Sequence, residues 1–290
     1  MNYTYNKKLF YKAFPRPSEV FLDDFYKKIF FKKKTTFTYS KTYSKNEILN
    51  KVKDAELIIW VINKYISNKK KINFLEIGSG EGFLLKSAKN NKFNVLGVDY
   101  QKEPILKFNK IIYPYFIEEN PKIFLNKILK NKKMYDIIAL QNVLEHVVSP
   151  EKLIKNVLSK LKKNGLLFIQ VPNDFSLLQD TIKRYKLIKK NYWFSPPVHL
   201  NYFNNKNILP FFNKFKLKAL DCFSDFPIEL YLFLGKKNYI NNKSLGKNAH
   251  LARIRINKFI LDQGFEKAYK FYKSCHDLGI GRLMRLILRK

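Results

Sequence analysis

Cysteine is nearly missing from this chain of 290 residues: only Cys222 and Cys275 occur, far apart and outside any Cys-x-x-Cys spacing. That excludes a disulfide framework and a cysteine-based zinc site, and it fits a reducing compartment, so a cytoplasmic location is expected. No apolar run reaches the roughly 20 residues that a membrane-spanning helix needs. The start, Met1 to Lys8, mixes aromatic and charged residues and lacks the apolar core of a secretory signal. Acidic residues are scarce, with Asp+Glu 23 against Lys+Arg 56 and a net charge of +33. Arginine is scarce before Arg253, and lysine runs such as Lys32-Lys33-Lys34, Lys69-Lys70-Lys71 and Lys189-Lys190 carry the excess. Such a surface attracts phosphates. Arginine, however, is the planar reader of phosphates and bases, and the abundance of Asn, Ile, Phe and Tyr beside Lys is what an AT-biased genome supplies. The charge is read first as a solvated surface, with nucleic acid as the alternative partner.

What is present is material for a core. Hydrophobic residues are 46% and aromatics 16%, so disorder is not the default and one large α/β unit with additions is expected. The chain is organised around Phe74-Leu75-Glu76-Ile77-Gly78-Ser79-Gly80-Glu81-Gly82-Phe83-Leu84-Leu85. An apolar run, three glycines at alternate positions and a second apolar run read as strand, tight turn and helix. Asp99 closes the next apolar run about 20 residues on, the spacing that delivers a carboxylate to ribose hydroxyls. The spacing Gly78-x-Gly80-x-Gly82 is not the G-x-G-x-x-G of dinucleotide sites, and Glu76 at the strand end would repel a pyrophosphate. It suits a ligand with an ammonium and a positive centre.

These residues resemble the class I S-adenosylmethionine (SAM)-dependent methyltransferases. Glu76, Gly78, Gly80 and Gly82 match their first motif and Asp99 the acid of their second; another Rossmann-like nucleotide binder is the alternative. The resemblance implies a mostly parallel seven-stranded sheet flanked by helices, with SAM as cofactor, held also by Ser79 and Tyr100. Strands are expected at Asn73–Ile77, Asn94–Val98, Ile112–Ile117, Asp136–Gln141 and Gly165–Val171, with helices at Glu81–Asn90 and Pro150–Lys162. Such alternation implies a parallel sheet with ligands at the carboxyl ends of its strands. Flanking helices are expected at Glu19–Phe31 and Asn46–Ser67. The expected division is an extension at 1–45, the cofactor domain at 46–235, and a helical insert with a closing segment at 236–290. Asn205 is expected to cap a helix to Phe215 and Lys216–Phe223 to form a strand. Arg282–Arg289 should return antiparallel to it.

Leu144-Glu145-His146-Val147 resembles a stretch of small-molecule methyltransferases of the quinone-precursor and sugar types. That implies Gln141 and Asn142 beside SAM and His146 toward the acceptor. His199-Leu200-Asn201-Tyr202-Phe203 resembles the H-L-x-Y-F of sugar methyltransferases, which implies His199 as general base. Asp174 and Tyr202 are further acceptor-side candidates, with capping and core packing as their structural alternatives. The tail Gly279-Ile280-Gly281-Arg282 resembles a bacterial branch of these enzymes. No metal site is indicated, because no carboxylate and histidine cluster shows ligand spacing. The expectation is SAM-dependent methylation of a small polar acceptor, a sugar or sugar nucleotide of surface polysaccharide. The alternatives are a nucleic-acid methyltransferase, a non-catalytic SAM-binding protein, and a quinone-type enzyme at a membrane surface.

Overall fold

The computed structural model describes residues 4–7, 9–26, 42–66, 71–235 and 238–290. The chain begins with strands β1 (Thr4–Lys7) and β2 (Tyr11–Phe14) and helix α1 (Glu19–Asp24), capped by Ser18. The helix expected to run on to Phe31 falls, beyond Tyr26, outside the described residues. Helix α2 (Lys45–Asn63) opens on a capping box between Ser44 and Glu47. It ends four residues short of the expected Ser67.

Strand–helix alternation follows: β3 (Asn73–Ile77), α3 (Phe83–Asn90), β4 (Asn94–Asp99), α4 (Glu103–Asn109), β5 (Phe116–Glu118), α5 (Pro121–Leu129), β6 (Tyr135–Gln141), α6 (Pro150–Lys160) and β7 (Leu161–Pro172). The strand expected at Ile112–Ile117 is corrected. Lys110–Tyr115 forms a 3₁₀ turn, and only Phe116–Glu118 pairs with β4. Pro114 explains this, since it has no N–H to give a ladder and its φ is fixed. Leu144–Val147 is likewise a turn; α6 opens only at Pro150. Then come α7 (Leu177–Arg184), the short β8 (Asn201–Tyr202), α8 (Ile208–Asn213) and β9 (Lys218–Ser224). The α8 start is at Ile208, not after Asn205, whose amide instead donates to His276 O. Two helices, α9 (Gly246–Asp262) and α10 (Phe265–Asp277), precede β10 (Leu283–Arg289).

The main sheet is the mostly parallel, seven-stranded, Rossmann-like one expected, in the order β5-β4-β3-β6-β7-β10-β9. β10 is antiparallel to β9, as expected, and also to β7 along its whole length. Its run Leu286-Ile287-Leu288 is fully buried, as suits a strand covered on both faces. One apolar cluster fills each face of the sheet, the first around Leu75, Ile138 and Leu167, the second around Phe74, Ile137 and Phe168. The first strands do not stand apart: β2 pairs β1 on one side and β8 on the other, making a small second sheet at the rim. Among the described residues no helix is long and apolar enough to cross a membrane.

The return into β10 depends on a close approach. A Cβ on Gly281 would overlap Ser224 and the Asp225 carbonyl. Gly281→Ala is expected to cost about 1–3 kcal/mol, as overpacking does, read as a lowered midpoint of thermal unfolding.

Candidate functional site

The site lies on the rim where the parallel strands end, on both sides of the switch between β3 and β6. At the end of β3, Gly78, Gly80 and Gly82 take φ values of +77°, +51° and +75°. Gly78 N–H donates to Val98 O at 2.9 Å, so the turn is bolted to β4. Asp99, the last residue of β4, completes the bolt. Its Oδ2 accepts from Gly80 N–H at 2.7 Å and its Oδ1 from Tyr100 N–H at 2.6 Å. Burial pushes the Asp99 carboxyl up to about 6, against the two backbone donors that favour its charged form. Ser79 Oγ lies 3.3 Å from both Glu76 O and Val98 O. Glu76 is buried with Oε2 unpartnered, and burial, with the Asp99 charge, raises it well above the usual carboxylate range.

Gly78 lines two cavities. One, about 170 Å³, is walled by Lys51, Asp54, Gly80, Gln141, Asn142 and Gln170. The other, about 210 Å³, is walled by Leu22, Tyr26, Asp99, Tyr100, Leu125 and His146 among others. The cofactor-side candidates Gly78, Ser79, Gly80, Gly82, Gln141 and Asn142 thus meet at the first cavity, and Asp99 and Tyr100 at the second. Asn142 sits at φ +52°, its N–H held by Gln170 O at 2.8 Å. Such a left-handed non-glycine residue at a strand end is common at ligand sites.

The acceptor-side candidates form a second group. His146 Nδ1 lies 2.6 Å from Val198 O, and a carbonyl only accepts, so Nδ1 carries the proton. Burial, with the His199 charge, pushes His146 down to about 3. Its Nε2 lies 3.8 Å from Glu145 Oε1. Glu145 is 1% exposed and neither of its carboxyl oxygens has a partner; burial pushes it up to about 8. The His146 and His199 rings meet at 5.0 Å. His199 Nδ1 lies 3.7 Å from Asp174 Oδ2. Asp174 is buried and bonded to Arg282 Nη1 at 2.7 Å. Burial opposes its ionisation, but Arg282 and His199 hold it below the ordinary value. Tyr202 is fully buried; its hydroxyl donates to His199 O at 2.7 Å and accepts from Ser195 N–H.

Backbone bonds hold this group together. Leu200 N–H and Asn201 N–H both donate to Glu145 O, at 2.7 and 3.1 Å. Asn201 Nδ2 donates to Leu144 O and Val147 O. Arg16 reaches in from the N-terminal segment and donates to Leu200 O, Val147 O, Val148 O and Asn201 Oδ1. Tyr26 OH donates to Val198 O at 3.1 Å. Sequence reasoning missed Glu145, Arg16, Tyr26 and Arg282 as parts of the site. The signals were an acid inside the apolar run Leu144–Val147, and arginines in a chain whose cations are mostly lysine.

The methyltransferase domain family model matches residues 54–220. The ubiquinone biosynthesis O-methyltransferase of Pelagibacter ubique is 33% identical over 122 residues, covering 40% of this chain and 46% of that protein. That of Rickettsia canadensis is 29% identical over 129 residues, covering 41% and 50%. The chain therefore spans about half the length of the curated relatives it matches. A SAM-dependent methyltransferase from Archaeoglobus fulgidus superimposes with a TM-score of 0.49 at 19% identity, covering 94% of this chain and 100% of that one.

A Cβ on Gly78 would stand 2.5 Å from Val143 Cγ2, at a φ that side chains rarely adopt. Gly78→Ala is expected to push Val143 into the space between the two cavities. Ligand binding to the turn, read by calorimetry, should weaken by about tenfold or more, roughly 1.4 kcal/mol.

Proposed function

The chain belongs to the methyltransferase domain family, matched over more than half its length, and on that premise we propose that it transfers a methyl group from SAM to a hydroxyl of a small acceptor. One observation carries the reading: Gly78 lines both a polar cavity and a mainly apolar one that His146 also lines. The residues fit the cofactor. Glu76, two residues before the turn, keeps a buried oxygen without a partner, and Gly78, Gly80 and Gly82 line the polar cavity with bare backbone. SAM supplies, when bound, an electrophilic methyl on a sulfonium.

Everything else falls to the chain. The glycine turn lets backbone approach the ligand, and Asp99 takes the ribose hydroxyls while still tied to Gly80 and Tyr100. Gln141 and Asn142 hold the methionine end beside Lys51 and Asp54. Tyr100 is itself steadied, its hydroxyl donating to Asp23 Oδ1 at 3.1 Å. On the acceptor side His199 takes the proton that leaves the hydroxyl. Asp174 faces the other edge of the reaction through Nδ1 and stabilises the imidazolium, while Arg282 keeps Asp174 ionised. Alignment of nucleophile and methyl is the main contribution, as in other displacements at an activated carbon.

The acceptor is a small hydroxylated molecule with an apolar body. Leu22, Val143, Val147 and Leu153 in the second cavity support that reading, as do relatives named for ubiquinone biosynthesis. A sugar or sugar nucleotide, the acceptor expected from the sequence, rests on the resemblance at His199–Phe203. A turnover screen of catechol-type phenols against sugar nucleotides separates the two; turnover of sugar nucleotides alone would overturn the apolar-acceptor reading.

Titration with SAM should give micromolar binding, weakened about tenfold or more (about 1.4 kcal/mol) by Asp99→Ala; absence of binding to the wild type would remove the cofactor assignment. Ribose hydroxyls donate to the carboxylate, so affinity should fall as pH drops through about 6, the value to which burial raises Asp99. In Asp99→Asn that pH dependence should vanish. His199→Ala should lose turnover by about 10²–10⁴-fold and keep SAM binding, and an unchanged rate would take His199 out of the reaction.

A further inference from the structure

The group at the acceptor end contains a carboxylate that the proposed reaction does not use. Glu145 is buried, both its carboxyl oxygens lack partners, and two imidazoles stand beside it. A buried acid with no donor is costly in any ionisation state. Neither the backbone bolts nor Arg16 touches its side chain; they hold its carbonyl and its neighbours instead.

We propose that Glu145, His146 and His199 bind one divalent cation of the first transition row. One donor atom from each lies within 4.8 Å of the other two. The surroundings are those of ligands already oriented. His146 is fixed by Nδ1–H to Val198 O, which leaves Nε2 as the nitrogen directed toward Glu145. His199 presents Nδ1 to the carboxylate of Asp174, and Arg282 holds that carboxylate in turn. A carbonyl bonded behind the His146 ring is the outer shell that metal-bound histidines carry, and the Asp174 carboxylate stands 3.7 Å from His199 Nδ1, beyond hydrogen-bond reach, with both atoms unpartnered. Donors around one ion stand closer than this cluster does, so binding draws the three side chains together. The loop backbones need not move, since Leu200 and Asn201 already anchor to Glu145 O.

The donor set names the class of ion. Two imidazoles and one carboxylate suit Mn²⁺, Fe²⁺, Co²⁺ or Zn²⁺ rather than the all-oxygen shells of Mg²⁺ and Ca²⁺. Three protein ligands leave coordination positions open, and one of the three, His146, also lines the apolar cavity. The role of the ion rests on the methyl-transfer reading: an acceptor hydroxyl bound there would be acidified by the cation, as bound water is, and would release its proton to solvent. In that state His199 is a ligand, and the base role given above belongs to the cation-free protein. Sequence spacing did not show this site because His199 lies far along the chain from Glu145 and His146, on a loop that folds back onto them.

The test uses the full chain stripped with a chelator and titrated with Co²⁺, read by its ligand-field absorption, and with Mn²⁺, read by calorimetry. One ion per chain is expected, with affinity reduced at least tenfold in Glu145→Gln and in His199→Gln. It should be unchanged in His250→Gln, whose imidazole pairs with Glu47 elsewhere. Circular dichroism verifies folding; if Glu145→Gln does not fold, His199→Gln decides alone. No ligand-field band and no heat in the wild type, or equal binding in all the variants, overturns the site. SAM titration of the same stripped protein is a separate readout. Its failure would overturn the proposed function and leave the cation result standing.

Discussion

The burial of carboxylates at one rim is the constraint on which the rest of the site depends. Glu76, Asp99, Glu145, Asp174 and Glu229 are all nearly inaccessible to solvent, in a chain whose net charge is +33. Burial raises four of the five, and only Asp174 is held low, by Arg282 and His199. Charge of this kind is kept in a folded protein only where something repays its desolvation. Asp99 is repaid by backbone donors from the glycine turn, and Glu229 by Gln179 and Tyr192, each at 2.8 Å. Glu76 and Glu145 are left with unpartnered oxygens, and so is Asp174 at Oδ2.

The segments outside the parallel sheet supply what keeps this acidic rim in order. Arg16 ties the turn after β6 to the loop before β8, and β2 extends the same loop into a small sheet. Tyr26 in the segment after α1 and Tyr100 after β4 stack at 5.8 Å over the second cavity. From the other end of the chain, Gly281 allows the tail to cross Ser224 so that Arg282 arrives between Asp174 and Glu229. The first and last segments therefore meet on the same few residues around His199. The parallel core positions the glycine turn and Asp99, and the additions position the group around His146 and His199.

Legibility in the sequence follows that division. The glycine turn and Asp99 were readable because their spacing is local and their physics is backbone geometry. The strands of the core were readable because continuous apolar runs are what a strand covered on both faces requires. Reading failed at Ile112–Ile117, where apolar residues suggested a strand and Pro114 forbade the ladder. The acceptor side was legible only as isolated histidines. Glu145 was hidden because an acid between Leu144 and His146 reads as a helix-start residue until the fold shows it fully buried. Arg16 and Arg282 were hidden because their partners are at the far end of the chain, and such pairings leave no periodicity to detect.

The positive surface and the acidic rim do not conflict, because they act over different distances. Surface lysines sit in water, where screening confines their field to about 8–10 Å at physiological salt, and several are already matched: Lys162 with Asp136, Lys64 with Glu266 and Lys273 with Asp221. The rim groups lie in a low-dielectric interior, where an immediate neighbour outweighs many distant charges. Lys51 shares the polar cavity with the glycine turn, and it is bound to Glu81 at 2.9 Å. A cation approaching Glu76 or Glu145 therefore meets carboxyl oxygens without hydrogen-bond partners, and must displace the proton that burial favours there. The net charge acts earlier, on anything anionic arriving from solution.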